Sequence, residues 1–247
     1  MRNLYTVSRG ATPTAIDFSN AVPETTQSVD IGYRFQSGST IAQVALWHTD
    51  YENRIVSAFD EDLGFFVDRN IGAVELQGVD AQFGFEPIAG LSLYASTSYI
   101  ESELKNNIPR SGTTFFPTAG RELVETPEWT YALRAEWDVT DFLSLGLQGK
   151  YVGDRWATDV NDQVAPSYTV VDLDARLDLD FLGLENSMVQ LNVINVFDEA
   201  YLGGISSREA SMAYNDGVNP AQTNGTSQPT YALGAPRTAM LTLRTRF

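Results

Sequence analysis

The sequence has no cysteine, a single histidine (His48) and few charges. Without Cys there are no disulfides, thiolate nucleophiles or thiolate metal sites. One His leaves no zinc site built on several imidazoles, and no metal or other cofactor is expected. Charged residues make up 19% of the 247 positions, below the quarter usual for soluble domains. Base is the scarce sign: 16 Lys+Arg stand against 32 Asp+Glu, a formal charge of −16. Phosphate recognition needs a basic footprint, so this balance argues against nucleic acid as a partner. No stretch approaches ~18 consecutive apolar residues, so no transmembrane helix is encoded. The opening stretch, MRNLYTVSRGATPTAIDF, lacks the apolar run of a secretory signal.

What the sequence does have is period two. In Trp129–Val139 (WTYALRAEWDV), Trp129, Tyr131, Leu133, Ala135, Trp137 and Val139 share one face, and Thr130, Arg134, Glu136 and Asp138 the other. In Val171–Leu179 (VDLDARLDL), Val171, Leu173, Ala175, Leu177 and Leu179 oppose Asp172, Asp174, Arg176 and Asp178. The same holds for Val29–Phe35, Leu143–Tyr151 and Ala239–Phe247. Alternation over this length specifies strands. Ile41–Asn53 admits two phases, with either Trp47 or Val44 and Leu46 on the apolar face. In Val74–Phe85 the phase slips near Gly78, which predicts a bulge there.

Nine strands are expected, over 25–35, 40–57, 65–86, 91–102, 127–139, 143–156, 167–180, 188–201 and 236–247. Their connections alternate short and long without exception. In an up-and-down meander this puts every short turn at one end and every long loop at the other, the asymmetry of outer-membrane barrels. A soluble sandwich also alternates, but two features favour the membrane. The polar face is unusually charged on neighbouring strands, where opposite signs could pair across a wet lumen. Aromatics also gather at both strand ends of the apolar face: Tyr51, Tyr99, Trp129, Tyr131 and Tyr151 toward the long loops, and Phe35, Phe85, Trp137, Phe181 and Phe247 toward the short turns. Two such belts mark the two membrane interfaces.

Several segments resemble the C-terminal half of TonB-dependent outer-membrane receptors. Pro23–Phe35 (PETTQSVDIGYRF) resembles a recurrent strand start of that family, and Asn192–Gly203 (NVINVFDEAYLG) its penultimate strand. Tyr231–Phe247 (YALGAPRTAMLTLRTRF) resembles its last strand, and Gly78–Ser102 a family hairpin with a short periplasmic turn. The resemblance implies an all-β fold: an antiparallel up-and-down transmembrane β-barrel portion of about nine strands, incomplete relative to a 22-stranded barrel. It implies that residues 1–24 are the remnant of an extracellular loop, that 25–247 are strands, and that the plug domain is absent. Nine is an odd count, and an open sheet leaves two edges that hydrocarbon does not tolerate. The chain therefore reads as the C-terminal part of a receptor, from a truncated reading frame or as a separately encoded half.

By the same resemblance the location is the cell outer membrane, and the function is uptake of a ferric siderophore or a similar scarce nutrient, energised through TonB. The implied partners are the outer-membrane lipid bilayer, the TonB complex (by way of the missing plug), the barrel-assembly machinery and a small metal-chelate ligand. Loop arginines Arg121, Arg155 and Arg208 could pair with an anionic chelate, because guanidinium binds carboxylates in a bidentate fork. Trp156, Tyr214, Phe116 and Tyr231 could stack on aromatic parts of it. Leu241, Leu243 and the terminal Phe247 resemble the signal read by the barrel-assembly machinery. The alternatives are a passive porin or adhesin and a barrel enzyme. An enzyme would need an activated nucleophile; His48 is the only base of that kind, and no G-x-S-x-G occurs.

Overall fold

The computed structural model describes residues 22–60, 65–70, 72–111, 114–206 and 229–245. Nine strands form one antiparallel sheet in chain order: β1 (Thr25–Ser37), β2 (Thr40–Glu52), β3 (Val74–Ile88), β4 (Leu91–Leu104), β5 (Trp129–Thr140), β6 (Leu143–Val152), β7 (Tyr168–Asp178), β8 (Met188–Ile194) and β9 (Thr238–Arg244). The short connections lie between β1 and β2, β3 and β4, β5 and β6, and β7 and β8; the long ones alternate with them. In the first short turn, Ser37 pairs with Thr40, and Gly38 supplies the positive φ of 55° that a two-residue hairpin needs at its first position. The last short connection holds a 3-10 turn at Asp180–Leu182, closed by Gly183 at φ 79°.

The register carries the alternation across the whole sheet. Ile31 pairs with Leu46, Leu46 with Val79, Val79 with Tyr99 and Tyr99 with Trp129. On the other half, Ala135 pairs with Leu147, Leu147 with Leu173, Leu173 with Val193 and Val193 with Ala239. All of these side chains share one face, because neighbours in a ladder point the same way. Within this chain that face is bare: Ile31 is 72% exposed, Leu133 60% and Leu241 70%. A contiguous apolar face of this extent on a polar-backed sheet is a lipid-facing surface. The upper aromatic belt is continuous, with Tyr99 4.7 Å from Trp129, Trp129 5.7 Å from Tyr131 and Tyr131 5.6 Å from Tyr151. The lower belt includes Phe142 and Phe181, 4.9 Å apart.

The opposite face is polar, and its charges are cross-linked. Arg134 of β5 donates to Glu136 at 2.8 Å and to Asp174 of β7 at 2.8 Å. Arg176 and Asp178 pair at 2.8 Å. Gln82 donates to Gln43 and accepts from the Tyr94 hydroxyl, both at 2.9 Å.

Four expectations from the sequence are corrected. First, β2 ends at Glu52, with Asn53 at φ 57°, and β3 starts at Val74; the intervening hairpin, Ile55–Asp60 with Phe65–Asn70, is separate from the wall. Second, Gly78 is no bulge, because the β2–β3 ladder runs unbroken through it. A Cβ there would meet the Trp47 ring, which lies against the glycine on the inward face. Val44 and Leu46 therefore face lipid and Trp47 does not. Third, Tyr51 shares the inward face with Trp47, so it is not part of the lipid-facing belt. Fourth, β8 ends at Ile194, where Asn195 turns the chain at φ 52°, and does not run to 201.

Candidate functional site

Most of the buried side chains among the described residues lie at the long-loop end of the sheet; Leu179 and Ser187 are buried at the β7–β8 turn. Val74, Leu104, Ile108, Val152, Ala157, Val160 and Ala165 are buried at the long-loop end, together with Thr118, Arg155, Thr158, Asp159 and Asn195. This explains the apparent phase slip in β3: Val74 belongs to the inward face by register, yet it is apolar because loops cover it. Below that level the inward face is polar.

The loops hold one another. The Arg54 guanidinium stands 3.9 Å from Asp159, linking the loop after β2 to the loop after β6. The loop after β4 folds back on its strand, with the Leu104 N–H donating to Arg121 O and Gly120 N–H to Leu104 O, both at 2.7 Å. Ile108 N–H donates to Thr118 Oγ1 at 3.0 Å, and that hydroxyl donates to Asn106 O at 2.9 Å. The same loop joins the next one: Glu122 N–H donates to Asn161 Oδ1 at 2.8 Å, and Glu125 N–H to Trp156 O at 2.8 Å. Lys105, just beyond β4, hydrogen-bonds Glu103 and Glu75, which raises its pKa above the usual lysine value.

The longest loop is clamped at its base. Asn195 is fully buried; its side chain donates to Glu199 O and Ala235 O and accepts from Glu199 N–H, at 2.9 to 3.0 Å. Its own N–H donates to Asp172 Oδ1 at 2.8 Å. Above this bracket the Tyr201 ring stacks on Tyr168 with centroids 4.3 Å apart, and Gly234 leaves room for it. In the sequence the N-V-F-D segment carrying Asn195 reads as strand, and the bracket and the stack rest on partners such as Ala235 and Tyr168 that lie far along the chain.

The residues singled out from the sequence are placed differently in the structure. Arg121 is exposed on the loop after β4. Arg155 is only 7% exposed; it donates to Leu202 O at 2.6 Å and lies 5.5 Å over the Tyr168 ring, so it ties two loops together. Trp156 is half-buried, and its indole N–H donates to Glu122 at 3.0 Å. Arg208 and Tyr214 lie outside the described residues, as does Phe247. Leu241 and Leu243 are exposed on the lipid-facing side of β9, paired with Leu191 and Val189. His48 faces outward on β2 beside Asp50 at 3.3 Å, away from the loop cluster.

Among the described residues no hydrogen bond joins a nucleophile to His48, whose partner is Asp50. The described parts of the loops interlock in a crown above a polar wall. No helix among the described residues is long and apolar enough to cross a membrane.

A family model described as TonB dependent receptor-like, beta-barrel, matches residues 2–196. The chain is 29% identical over 192 residues to the ferrioxamine receptor of Yersinia enterocolitica, covering 75% of this chain and 25% of that protein. It is 28% identical over 143 residues to the ferrichrome outer membrane transporter/phage receptor of Escherichia coli, covering 56% and 18%. Among solved structures, the ferric yersiniabactin uptake receptor FyuA from Yersinia pestis overlays with a TM-score of 0.67 at 17% identity, over 91% of this chain and 30% of that one. The chain thus spans about a quarter of the length of such relatives.

Proposed function

The chain belongs to the TonB-dependent receptor-like β-barrel family of the outer membrane, and from that premise we propose that the protein containing it imports a ferric siderophore. The observation that carries the reading is the alignment with a ferrioxamine receptor over 192 residues. The architecture is compatible with it: a lipid-facing apolar surface, a polar wall and a crown of loops at one end.

In this reading the nine strands are one stretch of a larger barrel wall, since the two sheet edges at β1 and β9 need partners in hydrocarbon. The remaining wall, a lumen-filling plug and the TonB-coupled energy supply come from outside these strands. The crown captures the chelate. Arg121, exposed on its loop, contacts the ligand directly; Arg208 and Tyr214 belong to the longest loop and are proposed contacts with it. Trp156 offers a ring face, and Arg155 acts through the loops it joins. The protein is a transporter and not an enzyme. Leu241, Leu243 and Phe247 serve as its signal to the barrel-assembly machinery.

The test is iron uptake by cells that depend on the full protein. Radiolabelled ferrioxamine should accumulate only when the gene is present and the inner membrane is energised. Gene-dependent passage of the chelate that persists after the proton gradient is collapsed would favour the passive porin.

A further inference from the structure

We propose that the lipid-facing side of the wall holds one membrane lipid in place, with an acyl chain in an apolar groove under the upper aromatic belt and an ammonium headgroup among carboxylates above it. The site lies on the outer side of the strands and is independent of the solute carried. Phe83, Ala95, Leu133, Gly149 and Val171 form one row of paired residues across β3 to β7. Leu93, Ala135 and Leu147 form the next row below. In both rows large side chains alternate with Ala or Gly, and the alternation leaves an apolar groove of about 480 Å³. A Cβ at Gly149 would meet no atom within 4 Å, so this glycine opens the groove and makes room for no neighbour of its own chain. The strands are central in the sheet, so neither open edge creates the recess. Leu133 is two residues below Tyr131 of the upper belt and four above Trp137 of the lower one, which places the groove in hydrocarbon. An unfilled recess forfeits contacts with its lining, and a methylene chain is thin and flexible enough to enter it.

The charge above the belt selects the headgroup. Glu75, Glu101 and Glu103 stand on the same outward face as Val79 and Tyr99, by register, so that face turns from apolar to acidic at the top of β3 and β4. Two adjoining recesses of about 340 Å³ each lie at this level, and Glu122 and Glu128 line both. Tyr99 lines the first; Trp129, Tyr151 and Trp156 line the second. The cations nearby are already engaged: Lys105 with Glu75 and Glu103, and buried Arg155 with Leu202 O. Glu101 accepts from the Gln77 amide and Glu122 from the Trp156 indole, both neutral donors. Among the described residues Glu101, Glu122 and Glu128 therefore have no ion-pair partner. Unpaired carboxylates beside aromatic faces suit an organic ammonium, and they repel an anionic headgroup. Glu128 and Leu133 lie five residues apart on one strand, roughly 16 Å at about 3.3 Å per residue. A single lipid covers that span from headgroup to mid-chain, so the acidic recesses and the groove are two ends of one site.

The experiment uses the full receptor, purified in detergent and mixed with equimolar phosphatidylethanolamine and phosphatidylglycerol of identical acyl chains, with a chelator present. Native mass spectrometry reads the lipid retained. The wild type should retain phosphatidylethanolamine about threefold over phosphatidylglycerol, the scale of one partly exposed ion pair. Glu101→Gln combined with Glu128→Gln should abolish the preference while a lipid is still retained. Gly149→Phe should lower retention of both lipids alike, and the milder Ala95→Leu should do so to a smaller degree; normal abundance in the outer membrane shows that each variant has folded. A wild type without preference would overturn the proposal. So would a preference for phosphatidylglycerol that emerges when calcium replaces the chelator, because the carboxylates would then be bridging a metal to phosphate. Undiminished retention in both groove variants would overturn it as well. A lipid-free complex of two receptors would assign the face to a second copy of the chain, against the proposal. No uptake is measured, so failure of the import reading and failure of this site are separate results.

Discussion

Arg134 and Asp174 stand on strands separated by β6, yet their side chains meet at 2.8 Å because Gly146 lies between them. Gly146 pairs with Glu136 on one side and with Asp174 on the other, and a Cβ at that position would collide with the Asp174 carboxylate. The salt bridge spans three strands only because the middle one has no side chain there.

Gly146→Val should therefore break a bridge it does not chemically take part in. Both partners are about one-third exposed, so solvent screening holds the expected loss to about 1 kcal/mol. Urea titration of the receptor folded in vesicles would measure it. Combined with Asp174→Asn, the two losses should be clearly less than additive; full additivity would mean the glycine and the bridge are independent.

Asn195→Ala should loosen the longest loop. The substitution removes three side-chain hydrogen bonds at a fully buried position and puts Ala at φ 52°, where Asn is tolerated far better. Leaving these buried backbone groups unpaired costs about 3 kcal/mol. Limited proteolysis should show faster cleavage within 196–237 while the wall strands stay protected, and ferrioxamine binding should weaken.

Leu133→Arg places a charge on the lipid face between the two belts. Near the bilayer midplane this should cost about 2–4 kcal/mol of insertion free energy, read as reduced abundance in the outer membrane. A charge added one residue away, at Ala132, faces the lumen and should leave abundance nearly unchanged.

His48→Ala should leave uptake unchanged, because the imidazole faces outward and its hydrogen-bond partner is Asp50, on the same strand. Loss of transport, or of any hydrolytic activity, would contradict the assignment.

The wall was legible in the sequence because period two and the alternation of connection lengths are local signals. Trp129–Val139 and Val171–Leu179 needed no tertiary information. Positions where one strand's side chain rests on its neighbour were less legible. Gly78 reads locally as a defect, and only the Trp47 ring across the ladder explains it. Tyr51 reads as a belt residue, although its face is fixed by pairing that Ile41–Asn53 alone leaves open. The loop crown was the least legible. Arg155 and Trp156 have the chemistry of ligand contacts, but their partners, Leu202 O, Tyr168 and Glu122, lie 47, 13 and 34 residues away. No spacing rule connects such positions.

The most direct test of the account is which face of the strands meets lipid, and the absence of native cysteine in this chain makes it accessible. Single cysteines would be placed in turn from 131 to 137 in the full receptor and labelled in intact outer membranes with a membrane-confined and a water-soluble maleimide. The account predicts strict alternation, with 131, 133, 135 and 137 labelled from the lipid and 132, 134 and 136 from water. Uniform labelling by the water-soluble reagent at every position would contradict it.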